Sequence, residues 1–435
     1  MFKALFIRLL RNAVALGFYL VSNLGQKVKV EELVDFSFSA PALVIANHQS
    51  DMDVPLIASL FFFRSSLKAF CDKIRFVAEE DLFLPGFFPQ HFSLPFFLAP
   101  FLFNFSMGKI LRVAGAFPVF KMTDLSLGRM LRILKEKEGK DLKLGHALSE
   151  EGIKLFSRLL NIKKEEVPFL PLRDALNWKY HRHLKRPAGS ELLNEKYARL
   201  LRENRLQGAT AQMEFFSRIL QDKVLLMFPE GEITQDGRLG KIRGGTYRIL
   251  EKAQWRPTVL PLTVNYDFLG KKRRALVVIG KGIRASQLKT ERKEFNSKIE
   301  DMLKEGMRLM FSHLGSAALY FLKEKKMALF TGQDFLWAVE RLLHFFRQMG
   351  VKMDPALSSA RYLRSRTKGF LRFLKRKGYI VKLRDCFLLF SGFLEDKPDR
   401  ARNPVGYYFQ KLQDFPYFSR FREYLEKESS ALTPA

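Results

Sequence analysis

The run Asn47-His48-Gln49-Ser50-Asp51-Met52-Asp53 sets a histidine and an aspartate five positions apart, directly after the apolar stretch Ala42 to Ala46. A neutral imidazole can take a proton from an attacking hydroxyl. A carboxylate on the far ring nitrogen fixes the tautomer and stabilises the imidazolium that forms. The spacing predicts a strand that empties into a tight loop and then a helix, with His48 and Asp53 brought face to face. The plainer reading is a loop histidine beside a helix-capping aspartate, and the pair alone favours it. Ser50 stands two residues from His48, but no separate triad pattern supports a serine nucleophile.

Three further blocks follow in order. Gly115-Ala116-Phe117-Pro118-Val119-Phe120-Lys121 comes first. Leu225-Leu226-Met227-Phe228-Pro229-Glu230-Gly231 is a second apolar strand running into a polar turn. Val259-Leu260-Pro261-Leu262-Thr263-Val264 closes the set. Together with Asn47-His48 and Asp53, these blocks resemble the glycerolipid acyltransferase family, that of the 1-acylglycerol-3-phosphate acyltransferases. Asp236-Gly237-Arg238-Leu239 and Arg243-Gly244-Gly245 resemble its continuation. The resemblance covers roughly residues 40–121 and 210–283. It implies direct transfer of an acyl group from a thioester to an alcohol, with His48 as base and Asp53 as its partner. It implies that Glu230 and Gly231 bind the acceptor, supported by the motif residues Asn47, Phe228, Pro229 and Pro261. The chain departs from the pattern at two points. Glu232-Ile233 replaces the usual Thr-Arg, and Lys121 replaces an arginine. Arginine grips phosphate with two parallel bonds, lysine with a point charge. Lys121, Lys241 and Arg243 are therefore the cations assigned to an acceptor phosphate. The oxyanion is expected to meet backbone N–H groups at the start of the Val54 helix or near Gly231.

Charge dominates the composition. There are 74 Lys and Arg against 45 Asp and Glu, a formal net charge of +29. Such an excess suits an anionic membrane, a nucleic acid or an acidic carrier protein. The 43 phenylalanines tilt that choice toward the membrane, because they occur in runs such as Phe61-Phe62-Phe63. Cys71 and Cys386 are the only cysteines, so no disulfide framework is expected. The His181-x-His183 pair has no acidic or cysteine company, so no metal site is expected.

At 435 residues the chain should form two or three folding units. Residues 1–35 read as amphipathic helices at a membrane interface, with Phe2, Leu5, Phe6 and Leu9 on one face and Lys3, Arg8 and Arg11 on the other. Residues 36–283 read as the acyltransferase domain. From Leu82 to Met107 there is no Lys, Arg, Asp or Glu, but four prolines break the run. It fits either a segment dipping into one leaflet or a cover over an acyl-chain tunnel. About 122–208 is a charged, helical insertion. Residues 284–435 are mainly helical, and helix, helix, hairpin over 334–390 has the outline of a winged helix. Strand–helix alternation implies an α/β fold, a sheet flanked by helices.

The expected function is a membrane-associated O-acyltransferase at the cytoplasmic face of the cell membrane. Its donor is acyl-CoA or acyl carrier protein and its partners are membrane lipids, with no cofactor and no nucleic acid. The leading acceptor is 1-acylglycerol-3-phosphate. The rivals are a glycerol-3-phosphate or other lysolipid acyltransferase and, from another class, a non-catalytic basic protein binding membrane or nucleic acid.

Overall fold

In the computed structural model of the chain the described residues are 2–23, 26–33, 40–64, 74–79, 83, 106, 108, 111–112, 115–119, 125–184, 186–270 and 273–430. Lys121, Cys71 and the Leu82–Met107 run, apart from Phe83 and Ser106, lie outside them. The fold is mixed α/β, in two compact units: residues 1–11 with 75–219, and residues 12–74 with 220–435.

The larger unit is built on a sheet whose strands explain themselves by burial. Strand β2, Ala42–Ala46, is buried along its whole length. A strand buried on both faces must be apolar at every position, and Ala-Leu-Val-Ile-Ala is. It pairs in parallel with β5, Val224–Met227, on one side and with β6, Thr258–Asp267, on the other. Pro261, buried in β6, has no N–H to give, and its carbonyl accepts from Gly280 at 2.9 Å. Strand β7, Arg273–Ile279, runs antiparallel to β6. The edge strand is β1, Gln26–Glu32, parallel to β7. This corrects the reading of residues 1–35 as helical throughout. Helix α1, Phe2–Asn23, ends the helical stretch. Beyond it Lys27-Val28-Lys29-Val30 alternates with the period of a half-buried strand. Arg308 fixes that strand by a 2.7 Å bond to Glu31. No helix among the described residues is long and apolar enough to cross a membrane.

Helix α2, Asp53–Phe63, follows β2 after a short loop. Helix α6, Gly245–Lys252, follows β5 after a longer one. Both loops leave the carboxyl ends of neighbouring parallel strands, where α/β sheets place their ligands. Residues 292–430 add helices α7 (Arg292–Glu305), α8 (Phe311–Glu324), α9 (Gly332–Gln348), α10 (Ala360–Arg376), α11 (Pro404–Lys411) and α12 (Phe418–Ser430). Strand β8, Leu329–Thr331, and the hairpin β9–β10, Ile380–Leu383 and Cys386–Leu389, form a small antiparallel sheet among them. One apolar cluster, from Leu269 to Leu425, fills this region.

In the smaller unit β3, Ile74–Glu79, of which all but Ile74 belongs to it, pairs in parallel with β4, Ala116–Val119. Helices α3 (Leu127–Glu138) and α4 (Glu150–Leu160) and the start of α5 (Glu195–Ile219) enclose their own apolar cluster, from Leu125 to Leu201. Helix α5 thus runs from within the stretch read as an insertion, about 122–208, into the part of the chain that carries the motif blocks.

Candidate active site

The last residue before the loop is held by the sheet. Asn47 is fully buried, and its side-chain amide imitates one more strand residue. Its Oδ1 accepts from the Val264 N–H at 2.7 Å and its Nδ2 donates to the Val264 carbonyl at 3.1 Å. This fixes the direction in which His48 leaves β2.

The five-residue spacing does what a base and its orienter require. Nδ1 of His48 lies 3.0 Å from Oδ2 of Asp53, the first residue of α2. The same Oδ2 accepts from the backbone N–H of Gln49 at 2.6 Å and of Ser50 at 2.8 Å. Oδ1 accepts from the Tyr266 hydroxyl at 2.5 Å. Burial, and then the Asp53 charge, push the Tyr266 phenol well above its usual range, so it stays a donor. Four donors on one carboxylate leave it no rotation. The imidazole is flanked by the Phe228 ring, with centroids 4.4 Å apart and planes at 24°. Nε2 of His48 meets no hydrogen-bond partner among the described residues. The result is a part-exposed imidazole with one nitrogen tied to a carboxylate and the other open to a substrate proton.

Glu230, to which the resemblance gives an acceptor role, is held by a backbone N–H on each carboxylate oxygen. It is buried, with Oε1 accepting from the His48 N–H at 2.6 Å and Oε2 from the Gly240 N–H at 2.5 Å. It braces the histidine loop against the loop that follows β5. Burial drives its carboxyl up to about 8, while those two N–H groups pull it back. Gly231 has φ of +75°, and a Cβ there would stand 3.0 Å from Cδ of Arg243. The Arg243 side chain therefore lies over Gly231, and its guanidinium donates to Glu232 at 2.8 Å. Lys241 is exposed, next in the chain to Gly240. Pro229 accepts the Arg243 N–H at 2.9 Å. Of the backbone N–H groups in the regions expected to face the oxyanion, that of Asp53 at the start of α2 donates to the Ser50 carbonyl at 2.9 Å, that of Leu56 to the Met52 carbonyl at 2.9 Å, and that of Gly231 to the Phe228 carbonyl at 3.0 Å.

No family model matches this chain, and no curated protein matches it. Among solved structures, it aligns with the 1-acyl-sn-glycerophosphate (LPA) acyltransferase PlsC of Thermotoga maritima. That alignment is 12% identical, covers 69% of this chain and 78% of that one, and has a TM-score of 0.32. So distant a likeness carries no chemistry.

Two residues that sequence reasoning missed complete the site. Arg400 donates to the Gln49 carbonyl at 2.8 Å and to the Ser50 hydroxyl at 3.2 Å, and its guanidinium covers the Phe268 ring at 4.9 Å. Lys411, at the end of α11, is only 1% exposed, and its ammonium donates to Oε1 of Gln49. Burial holds this amine down at about 8, against the attraction of Asp414, Asp53 and Glu230. No local pattern announces either residue. Lys411 reads as an ordinary basic residue in a helix's last turn. Beside the Arg400 segment a cavity of ≈ 940 Å³ opens between residues 232–236 and 396–403, with Glu232, Asp236, Asp399 and Arg402 in its wall.

Proposed function

We propose that this protein is an O-acyltransferase that moves a fatty acyl group from an acyl thioester to a hydroxyl of a glycerolipid acceptor. The observation that carries this reading is the His48–Asp53 pair, 3.0 Å apart at a strand end, with Nε2 open. His48 Nε2 takes the proton of the acceptor hydroxyl as that oxygen attacks the thioester carbonyl. Asp53 holds Nδ1–H and offsets the imidazolium charge. The C–O bond forms, the C–S bond breaks, and the departing thiolate takes the proton back from Nε2.

The cavity between residues 232–236 and 396–403 is the room we assign to the acceptor's glycerol; its wall sets Glu232, Asp236, Asp396 and Asp399 against Lys397 and Arg402, so an acceptor phosphate is left to cations outside that wall. Of the cations assigned to a phosphate, Arg243 stands nearest to Gly231 but is shared with Glu232. A phosphate must therefore compete for it. On this reading 1-acylglycerol-3-phosphate is the first acceptor to test and acyl-CoA and acyl carrier protein are the donors. The enzyme works at a membrane because its acceptor resides there. The test incubates purified protein with both donors and a panel of lysolipids and glycerol-3-phosphate, read by lipid mass spectrometry. A new ester that His48→Ala does not form supports the reading. Equal product from parent and variant refutes it.

A further inference from the structure

Helix α10 carries an unbalanced charge on one side. Between Asp354 and Asp385 the chain has no acidic residue. Arg361, Arg364, Lys368, Arg372, Lys375 and Arg376 are all exposed. At 100° per residue they fall within a stripe about 120° wide and roughly 22 Å long. None of the six is paired with a carboxylate among the described residues. The opposite face is apolar, with Leu363, Phe370 and Leu374 buried. Arg366, the one base turned inward, meets Asp267 at 2.5 Å. The fold thus neutralises the base it buries and leaves the outer stripe open.

The hairpin β9–β10 begins four residues after α10 ends. Val381 is 41% exposed and Leu383 48%, alternating with exposed Lys382 and Arg384. Phe390, just past the hairpin, is 42% exposed. Large apolar side chains set among cations need a partner that offers both negative charge and an apolar layer beneath it. A nucleic-acid duplex supplies the first over its phosphates but no layer to receive Val381 and Leu383. A bilayer with anionic lipids supplies both.

We propose that the α10 stripe and the β9–β10 hairpin form a docking surface for an anionic phospholipid bilayer. This deepens the acyltransferase reading, and rests on it only in giving the surface a purpose, the delivery of the site to a membrane-held acceptor. A cation near an anionic leaflet is worth roughly a fivefold change in partition.

The test is vesicle flotation of the full chain, using phosphatidylcholine alone and phosphatidylcholine mixed with phosphatidylglycerol. The parent should bind the mixed vesicles and leave the neutral ones. The variant Arg364→Gln/Lys368→Gln/Arg372→Gln/Lys375→Gln should lose on the order of a hundredfold or more in partition. Leu383→Asp, a single exposed change that leaves the stripe intact, should weaken binding severalfold and make what remains more sensitive to salt. Equal binding to both vesicles, or a fourfold variant that binds like the parent, overturns the proposal. So does tighter binding to a duplex DNA oligonucleotide than to the mixed vesicles at the same salt. Activity separates this failure from that of the enzyme reading. A fourfold variant that still acylates a monomeric short-chain lysolipid but not a vesicle-held one supports the surface. A parent inactive on both acceptors refutes the acyltransferase reading and leaves the flotation result to judge the surface.

Discussion

Removal of the His48 imidazole takes away the group we assign to the hydroxyl proton while leaving Asp53 with its three other donors. His48→Ala should therefore lower turnover by about 10²–10⁴-fold with the melting curve little moved, a result read by steady-state assay beside a thermal melt. Asp53→Asn should cost less. An amide oxygen can keep the three donors now on Oδ2, and its NH2 can donate to a Tyr266 hydroxyl turned to accept, so geometry survives and only charge is lost. Glu230 gives a pH signature. Its carboxyl, raised by burial from 4.5 to about 8, keeps a proton in the fold that the unfolded chain releases. The native state then binds more protons, so its contribution to stability is full below about 4.5 and is lost as pH rises toward 8. Denaturant titrations across that range should show this slope in the parent and lose it in Glu230→Gln. Lys411, lowered from 10.5 to about 8, acts in the next window with the opposite sign, adding stability as pH climbs. The contact of His48 with Asp53 was legible in the sequence because both residues lie within five positions of one another at a strand end. Arg400 and Lys411 were not, because their contacts span 350 and 362 residues and nothing near them in the chain is unusual.

Two loops at neighbouring strand ends do the positioning, and each can be disturbed alone. Gly231 sits at φ +75°, where any Cβ is strained and would press on Arg243. Gly231→Ala should cost about 1–2 kcal/mol of stability and displace Arg243, raising the acceptor Michaelis constant more than it lowers turnover. A variant with unchanged constants for donor and acceptor would show that this loop does not touch the acceptor. Glu232→Gln releases Arg243 from an ion pair that is half-exposed and so worth at most about 1 kcal/mol. Use of a phosphate-bearing acceptor should improve by up to about fivefold, with a phosphate-free one unmoved. Steady-state kinetics on both acceptors decides it. Strands such as β2 and β5 could be read from sequence because complete burial demands an unbroken apolar run. Edge strand β1 could not, because its alternating Lys and Val residues follow an uncharged helical stretch and read as that helix's continuation. The continuity of α5 across the insertion boundary was hidden similarly, its first turns being charged like the rest of the insertion.

Across the larger unit, the histidine loop and the C-terminal helices are one object. Leu269 belongs to the same apolar cluster as Leu412 and Leu425, and the loop after β5 is tied down where Asp414 accepts the Leu239 N–H at 2.6 Å. A chain ended at residue 283 should therefore be inactive and expose apolar surface, as measured by dye binding and assay, although it retains every motif block. A folded, active product would show the C-terminal region to be dispensable. Strand–helix alternation made the α/β class legible from sequence. The dependence of the first loop on the last helices was not, since it is written in long-range contacts alone. Arg400 and Lys411 also set a clock. Gln49 leaves the ribosome 362 residues before Lys411, its partner, a delay of roughly 20–70 s at ordinary elongation rates. Until then the histidine loop has its bond to Glu230 but lacks those of Gln49 and Ser50 to Arg400 and Lys411, and the nascent chain should not turn over acyl donor. Ribosome-bound chains stalled before and after release of residue 411 would reveal whether competence arrives only once Lys411 can reach Gln49.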